Sequence, residues 1–228
     1  MIFADHPDNQ SSGESHMEIT YIGHACFLIR FSTGLTVCFD PYSKGSVPGL
    51  AEADVIADEV YCSHSHGDHN DYGSVGTPEN HYEGPAPEVE VISTFHDDVR
   101  GAKRGKNNIT IVKSGGETVV HMGDIGCDLT PEQADKIKGC DLLLIPVGGF
   151  YTIDCKKAYE ICLLTDPKTI IPMHYSGDSF GYDVISGREE FVSLIKARGD
   201  REIICGGNST ESLPSGKSLL LMEPLRIL

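Results

Sequence analysis

Basic residues are scarce in this chain. Eighteen lysines and arginines stand against 34 aspartates and glutamates, a formal net charge of −16 at pH 7. That charge repels nucleic-acid backbones and anionic membrane surfaces at long range, so a polyanionic partner would need a local basic patch. Paired cysteines are also missing. The eight cysteines stand singly, mostly in apolar stretches such as LTVCFD, and no C-x-x-C occurs. Buried reduced thiols are therefore expected, in place of a disulfide framework or a cysteine zinc site. No apolar run approaches the roughly 18 residues that span a bilayer, and no basic-then-apolar leader opens the sequence. The expectation is a soluble, cytoplasmic protein that does not engage membranes. Neither a G-x-S-x-G elbow nor a visible Ser-His-Asp arrangement offers a serine nucleophile.

The chain has 228 residues, 39% of them hydrophobic, enough to bury one full core as a single domain. Residues 1–16, MIFADHPDNQSSGESH, are polar and aperiodic and precede a second methionine, Met17, where a strand pattern begins. They read as a flexible extension or an expression remnant, which makes His6 and His16 poor ligand candidates.

From Met17 the first half reads as short strands: MEITYIG, CFLIRFS and LTVCFD, the last two joined by an STG turn, then DEVYCS, EVEVIST, NITIVKS and ETVVHMGD. The second half alternates helices and strands. TPEQADKIKG carries an N-cap Thr130, Pro131 at the first helical position and a closing Gly139. CDLLLIPVGG reads as a buried strand, DCKKAYEICLLTD as a helix capped by Asp154, and KTIIPMH as a strand. SGREEFVSLIKARG reads as a helix bounded by Ser186 and Gly199, and REIICG and KSLLLMEP complete the set. Strands first, then alternation, predicts an α/β fold of two packed sheets with outer helices, a four-layer arrangement.

The densest chemistry is SHSHGDHND, residues 63–71. An extended chain runs into His64, and side chains two apart on such a segment point the same way, so His64 and His66 can grip one ion. Gly67 lets the chain turn and present Asp68 and His69 to a second. Imidazoles with carboxylates suit divalent zinc, manganese or iron. A histidine-rich surface loop without metal is the alternative; H-x-H-x-D-H directly after a buried strand is the more specific pattern.

That pattern resembles the metallo-β-lactamase superfamily, and the resemblance covers most of residues 17–228. It implies the αββα sandwich of two mixed sheets and a hydrolase domain over 17–228. Further site residues are implied at the family's positions: Asp40 in TVCFDP, His96 in VISTFHDD, Asp124 in VVHMGDIG and His174 in TIIPMHY. The implied division is His64, His66 and His96 on one ion and Asp68, His69 and His174 on the other, with Asp124 bridging. Asp40 would orient a ligand histidine through its other ring nitrogen. Two cations about 3.5 to 4 Å apart would generate a bridging hydroxide near neutral pH, with Asp68 and Asp124 the catalytic carboxylates. YIGHACFLI, FHDDVRGAKRGKNNITIV, HMGDIG and VGGFYTID resemble, more narrowly, the bacterial and archaeal branch holding ascorbate-6-phosphate lactonase-like and other metal-dependent hydrolases.

The resemblance implies hydrolysis of a small-molecule ester or lactone, with or without a phosphate as in the lactonase-like branch. A phosphodiesterase or nuclease of the same fold is the runner-up, and a non-catalytic metal-dependent binding module the reading from another class. Di-iron reductases of this family carry glutamate at the second histidine of the motif, and His66 speaks against them. No nucleic-acid partner is expected, and homo-oligomerisation is left open.

Residues around the core set are less determined. His24 in GHACF stands either near the site or in core or turn hydrogen bonding. His121 has no ligand role and is expected to be structural. Tyr151 and Thr152 either line the pocket or begin a helix. Arg100, Lys103, Arg104 and Lys106 form the one basic cluster, either a solvated loop or, through Arg104, a fork for a substrate phosphate or carboxylate.

Overall fold

The computed structural model describes residues 16–228. The extension expected at residues 1–16 lies outside them, apart from His16, which is exposed. The chain opens with β1 (Glu18–Gly23), β2 (Cys26–Arg30) and β3 (Thr36–Phe39), followed by β4 (Val55–Ile56), β5 (Glu59–Tyr61) and β6 (Val75–Gly76). Next come β7 (Glu88–Phe95), β8 (Lys106–Ser114), β9 (Glu117–His121), α1 (Pro131–Ile137), β10 (Leu142–Pro146) and α2 (Cys155–Thr165). The last elements are β11 (Thr169–Met173), α3 (Glu189–Arg198), β12 (Glu202–Cys205), β13 (Ser209–Thr210) and β14 (Ser218–Leu221).

Two mixed sheets result. One has the order β13-β1-β2-β3-β5, antiparallel except for the β3–β5 pair. The other runs β12-β14-β11-β10-β9-β8-β7, parallel from β12 to β9 and antiparallel from β9 to β7. A small parallel pair, β4–β6, stands apart. Burial follows the sheet type. The parallel strands β10, β11 and β14 are buried at every position, as expected of strands covered on both faces, whereas edge strand β7 alternates toward solvent.

The sheets share one apolar core: Phe27, Val37 and Phe39 from the first meet Ile111, Val119 and Leu144 from the second. Polar ties reinforce the junction. The Glu117 carboxylate accepts from the Ser32 backbone N–H at 2.8 Å and the Ser32 hydroxyl at 2.9 Å, fixing the β2–β3 turn to the start of β9. Helix α2 touches α1 and α3 and lies against β10.

The helix boundaries follow local chemistry. Thr130 and Gln133 form a reciprocal capping box with Pro131 in the first turn, and the Asp154 side chain accepts from the Lys157 N–H. Gly199 closes α3 at a φ of 73°. Ser186 does not open that helix, which starts at Glu189 after Arg188. The reason is backbone pairing: the Ser186 N–H donates to Gly148 O and its carbonyl accepts from Ser176 N–H, holding it extended. Glu189 and Glu190 then supply the negative charge that the first turn favours. All eight cysteines are free, with Cys26 and Cys38 sulfurs 4.0 Å apart. No helix among the described residues is long and apolar enough to cross a membrane.

Phe39 is fully buried between the sheets, its ring stacked on His121 with centroids 5.2 Å apart. Phe39→Ala is expected to cost about 3–5 kcal/mol of stability, measurable by urea denaturation.

Candidate metal centre

Strand ends and their following turns deliver the polar side chains. Asp40 follows β3, His96 follows β7, Asp124 lies three residues past β9 and His174 follows β11. Three of the delivered residues bend the backbone sharply: His24, Asp40 and His174 have φ of 57°, 44° and 52°. Left-handed geometry is costly for side chains other than glycine and concentrates at functional sites, where surrounding structure enforces it.

The structure brings together every residue that the family resemblance implied. The Asp124 Oδ2 atom lies 3.1 Å from His69 Nε2, 3.2 Å from His96 Nε2 and 3.0 Å from His174 Nε2. His64 Nε2 and His66 Nδ1 are 2.9 Å apart, and their rings flank that of His96 at 4.7 and 5.2 Å between centroids. Asp68 Oδ2 is 3.4 Å from His24 Nε2 and 3.7 Å from His69 Nε2. Three donor groups emerge among the described residues, His64, His66 and His96 on one side, His24, Asp68, His69 and His174 on the other, and His64, His69 and Asp124 between them, each with its donor atoms within 4.8 Å of one another. Asp124 reaches into both outer groups. His24 is thus a member of a donor group, its ring 4.1 Å from that of His174.

Asp40 stands behind this array. It accepts from His69 Nδ1 at 2.8 Å and from the Ser63 backbone N–H and hydroxyl, each at 2.6 Å. The Asp40 contact directs the opposite nitrogen of His69 toward Asp124. His121 turns away: its Nε2 is 2.9 Å from Ala25 O, and its Nδ1 accepts from the Gly123 N–H at 3.1 Å.

The buried charges shift one another. Burial alone would raise the Asp124 pKa, but His174 and His69 outweigh it and hold the carboxyl well below its usual range. Burial opposes charge on His69, yet Asp124 and Asp40 drive its pKa well above that of free histidine. His64, desolvated and facing His69, falls to about 3, and His24, desolvated beside His174, to about 4. These low values leave neutral imidazoles, the form that binds metals.

The donor set fits divalent cations. Donor atoms held tetrahedrally at about 2.0–2.1 Å from one ion stand about 3.3 Å apart, the spacing seen around Asp124. Asp124 Oδ1 and both His24 ring nitrogens are buried without a hydrogen-bond partner among the described residues. Buried polar atoms seldom go without a partner, so these atoms call for a ligand.

Two supporting residues escaped the sequence reading. Asn107, fully buried, donates to Thr94 Oγ1 and Met122 O, both at 2.9 Å, and accepts the Asp124 N–H at 2.8 Å. Gly123, at a φ of 55°, admits it: a Cβ there would stand 2.3 Å from Asn107 Oδ1. Tyr182 bonds Ser46 O at 2.6 Å and Asp68 Oδ2 at 3.2 Å. Asn107 lay within the quoted GKNNITIV, but nothing in its spacing marked it; Tyr182 carried no signal.

A pocket of ≈ 240 Å³ opens over the cluster, lined by His66, Asp68, His96, Arg104, Asp124, Tyr151, His174 and Tyr182. Tyr151 therefore lines the pocket, while the Thr152 hydroxyl is engaged with Ile153 O. Of the basic segment only Arg104 lines it; Lys103 pairs with Asp98, and Arg100 and Lys106 are exposed. The loop bearing Arg104 is organised by Asp97, which accepts four backbone N–H bonds, from Val99, Gly101, Lys103 and Arg104, at 2.7–3.0 Å.

The beta-lactamase superfamily domain matches residues 18–174, and the chain belongs to that superfamily. Within it, the chain is 29% identical over 193 residues to a UPF0173 metal-dependent hydrolase of Carboxydothermus hydrogenoformans, covering 70% of this chain and 85% of that protein. A second such hydrolase, from Pelotomaculum thermopropionicum, is 27% identical over 86% of this chain and all of the relative. A crystal structure of a proposed Zn-dependent hydrolase of the metallo-β-lactamase superfamily from Thermotoga maritima superposes with a TM-score of 0.71 at 32% identity, covering 91% of this chain and 99% of that one. The αββα class expected from the sequence is thereby the fold of the molecule.

Desolvation raises the Asp97 pKa, but the four N–H bonds outweigh it and lower the value from 3.8 to about 2. A depressed pKa contributes stability that is present above 3.8 and lost as pH falls through about 2. Asp97→Asn, which faces two of these N–H groups with an amide NH₂, is expected to be less stable than wild type at pH 7. Urea titrations should find the gap narrowing as the pH approaches 2.

Proposed function

We propose that the chain is a binuclear metal-dependent hydrolase acting on a small-molecule ester or lactone. The observation that carries this reading is the pair of donor groups joined by a third, His64, His69 and Asp124, at the floor of an open pocket. His64, His66 and His96 would hold one cation, and Asp68, His69 and His174 the other, with Asp124 common to both; His24 stands close enough to join the second set. The relatives' description as metal-dependent hydrolases supports the reaction type. A pocket of ≈ 240 Å³ in a chain of net charge −16 suits a compact substrate and disfavours a nucleic acid. Zinc is the metal proposed, with manganese or iron as alternatives suited to the same donors.

When bound, divalent cations supply a water of lowered pKa and a Lewis acid for a substrate oxygen. The protein's own contribution is positional. Asp40 fixes the ring of His69, Asn107 fixes the backbone of Asp124, and Tyr182 steadies Asp68, so the donors do not reorganise when substrate enters. Asp124, with one carboxylate oxygen free of protein hydrogen bonds among the described residues, is suited to orient the attacking water and to carry its proton to the leaving group.

Elemental analysis is expected to find two divalent ions per chain, and a panel of lactones, esters and phosphodiesters is expected to yield chelator-sensitive hydrolysis of the carbonyl substrates. Hydrolysis that persists in the fully chelated protein, or that is confined to phosphodiesters, would overturn the reading. Asp124→Ala should lose hydrolysis and metal stoichiometry. His121→Asn, whose amide oxygen can still accept from the Gly123 N–H, should keep the wild-type metal content; equal loss in both variants would contradict the division of roles.

A further inference from the structure

Arg104 is the one lysine or arginine lining the metal pocket, and it is held there without a carboxylate. Arg30, Arg188, Arg198, Arg201 and Arg226 each form an ion pair with an acidic side chain. Arg100 and Arg104 appear in none of the ion pairs among the described residues, and of these two only Arg104 lines the pocket. In a chain with 34 acidic residues, an arginine held in a pocket without an ion pair calls for a structural cause.

Two devices supply it. The backbone N–H of Arg104 is tied to Asp97, the residue directly after His96, so the loop position is set from the metal centre itself. The guanidinium then lies 5.5 Å from the Tyr151 ring centroid and 5.9 Å from that of Phe150. Aromatic faces hold a guanidinium without engaging its N–H donors, which stay available at the ring's edge. Phe150 is itself unusual: it is 62% exposed, and its backbone is left-handed at a φ of 56°. A bulky residue in that conformation is an outlier that the fold must enforce, and here it stands beside Arg104. Tyr151 continues to Tyr182 at 5.7 Å between ring centroids, and Tyr182 reaches Asp68. An aromatic wall thus links the arginine to the metal donors along one side of the pocket.

We propose that Arg104, braced by Phe150 and Tyr151, is the receptor for an oxyanion on the substrate, a carboxylate or phosphate group separate from the bond that is hydrolysed. The inference rests on the metal-hydrolase reading and narrows its substrates to anionic small molecules. A planar fork of donors matches both oxyanions bidentately, which a lysine ammonium does not.

Binding of three metal-chelating probes to the metal-loaded protein, measured by calorimetry, tests it apart from turnover. Acetohydroxamate carries only the chelating group, succinic monohydroxamate adds a carboxylate, and phosphonoacetohydroxamate adds a phosphonate. At least one anionic probe is expected to bind wild type about ten- to a hundredfold more tightly than acetohydroxamate, the range of a charge-assisted contact. The larger preference identifies the carboxylate or the phosphate class. Arg104→Met, which keeps an apolar stem against the rings, should remove that preference, and Arg104→Lys should restore only part of it. A wild type that binds all three alike, or a preference that survives Arg104→Met, overturns the proposal while leaving the metal reading intact. Failure of acetohydroxamate to bind overturns the metal reading, and the proposal with it.

Discussion

Three carboxylates, Asp40, Asp68 and Asp124, converge beneath one pocket, two of them almost wholly withdrawn from solvent. Isolated buried charges cost far more than a marginally stable fold can supply, so each must be matched where it stands. The histidines provide the match. Asp124 is surrounded by three imidazole nitrogens, and Asp40 by an imidazole, a hydroxyl and a backbone N–H. The features that look costly elsewhere, a buried Asn107, a glycine packed against it and bent backbones at His24, Asp40 and His174, all maintain this balance.

The two sheets divide the work. The first, largely antiparallel, brings in His24 and Asp40 at the ends of short strands and leads β5 into the H-x-H-x-D-H loop. The second contributes its parallel core, where Asp124 follows β9, Tyr151 follows β10 and His174 follows β11. These are carboxyl-terminal ends of adjacent parallel strands, the location where parallel sheets commonly gather ligands. The antiparallel flank adds His96 at the end of β7, with the Asp97-organised loop that carries Arg104 before β8 begins. The clustered histidines and carboxylates and the pocket-lining residues are consequently fixed by the same strand ends.

What was legible in the sequence was chemistry concentrated in short segments. His64, His66, Asp68 and His69 fall within six positions, and Thr130, Pro131 and Gly139 spell out a helix and its boundaries. The longer, regularly patterned strands were equally readable, because their burial alternates or runs continuously. The distant residues Asp40, His96, Asp124 and His174 were locatable only through family resemblance, since no local periodicity marks a strand-end aspartate as a site residue. Ser186 misled because its capping chemistry is overridden by long-range backbone pairing to residues 148 and 176. Asn107 and Tyr182 were invisible for a related reason: their roles lie in contacts to residues 17 and 114 positions away. The two-residue strands β4, β6 and β13 exist by tertiary pairing and carry too little sequence to announce themselves.

The donors are also spread through time. They run from residue 24 to residue 174, with the supporting Tyr182 beyond them, so a chain emerging from the ribosome presents the histidine loop long before it can present His174. The early donors lie on one sheet and the late ones on the other, and the full set exists only once both sheets have closed on their common core. A ligand cluster that does not preexist in the unfolded chain is completed only by folding, so the second donor group is assembled late in the molecule's synthesis. A chain truncated before β11 therefore keeps the most conspicuous part of the motif and lacks the residue that completes the cluster.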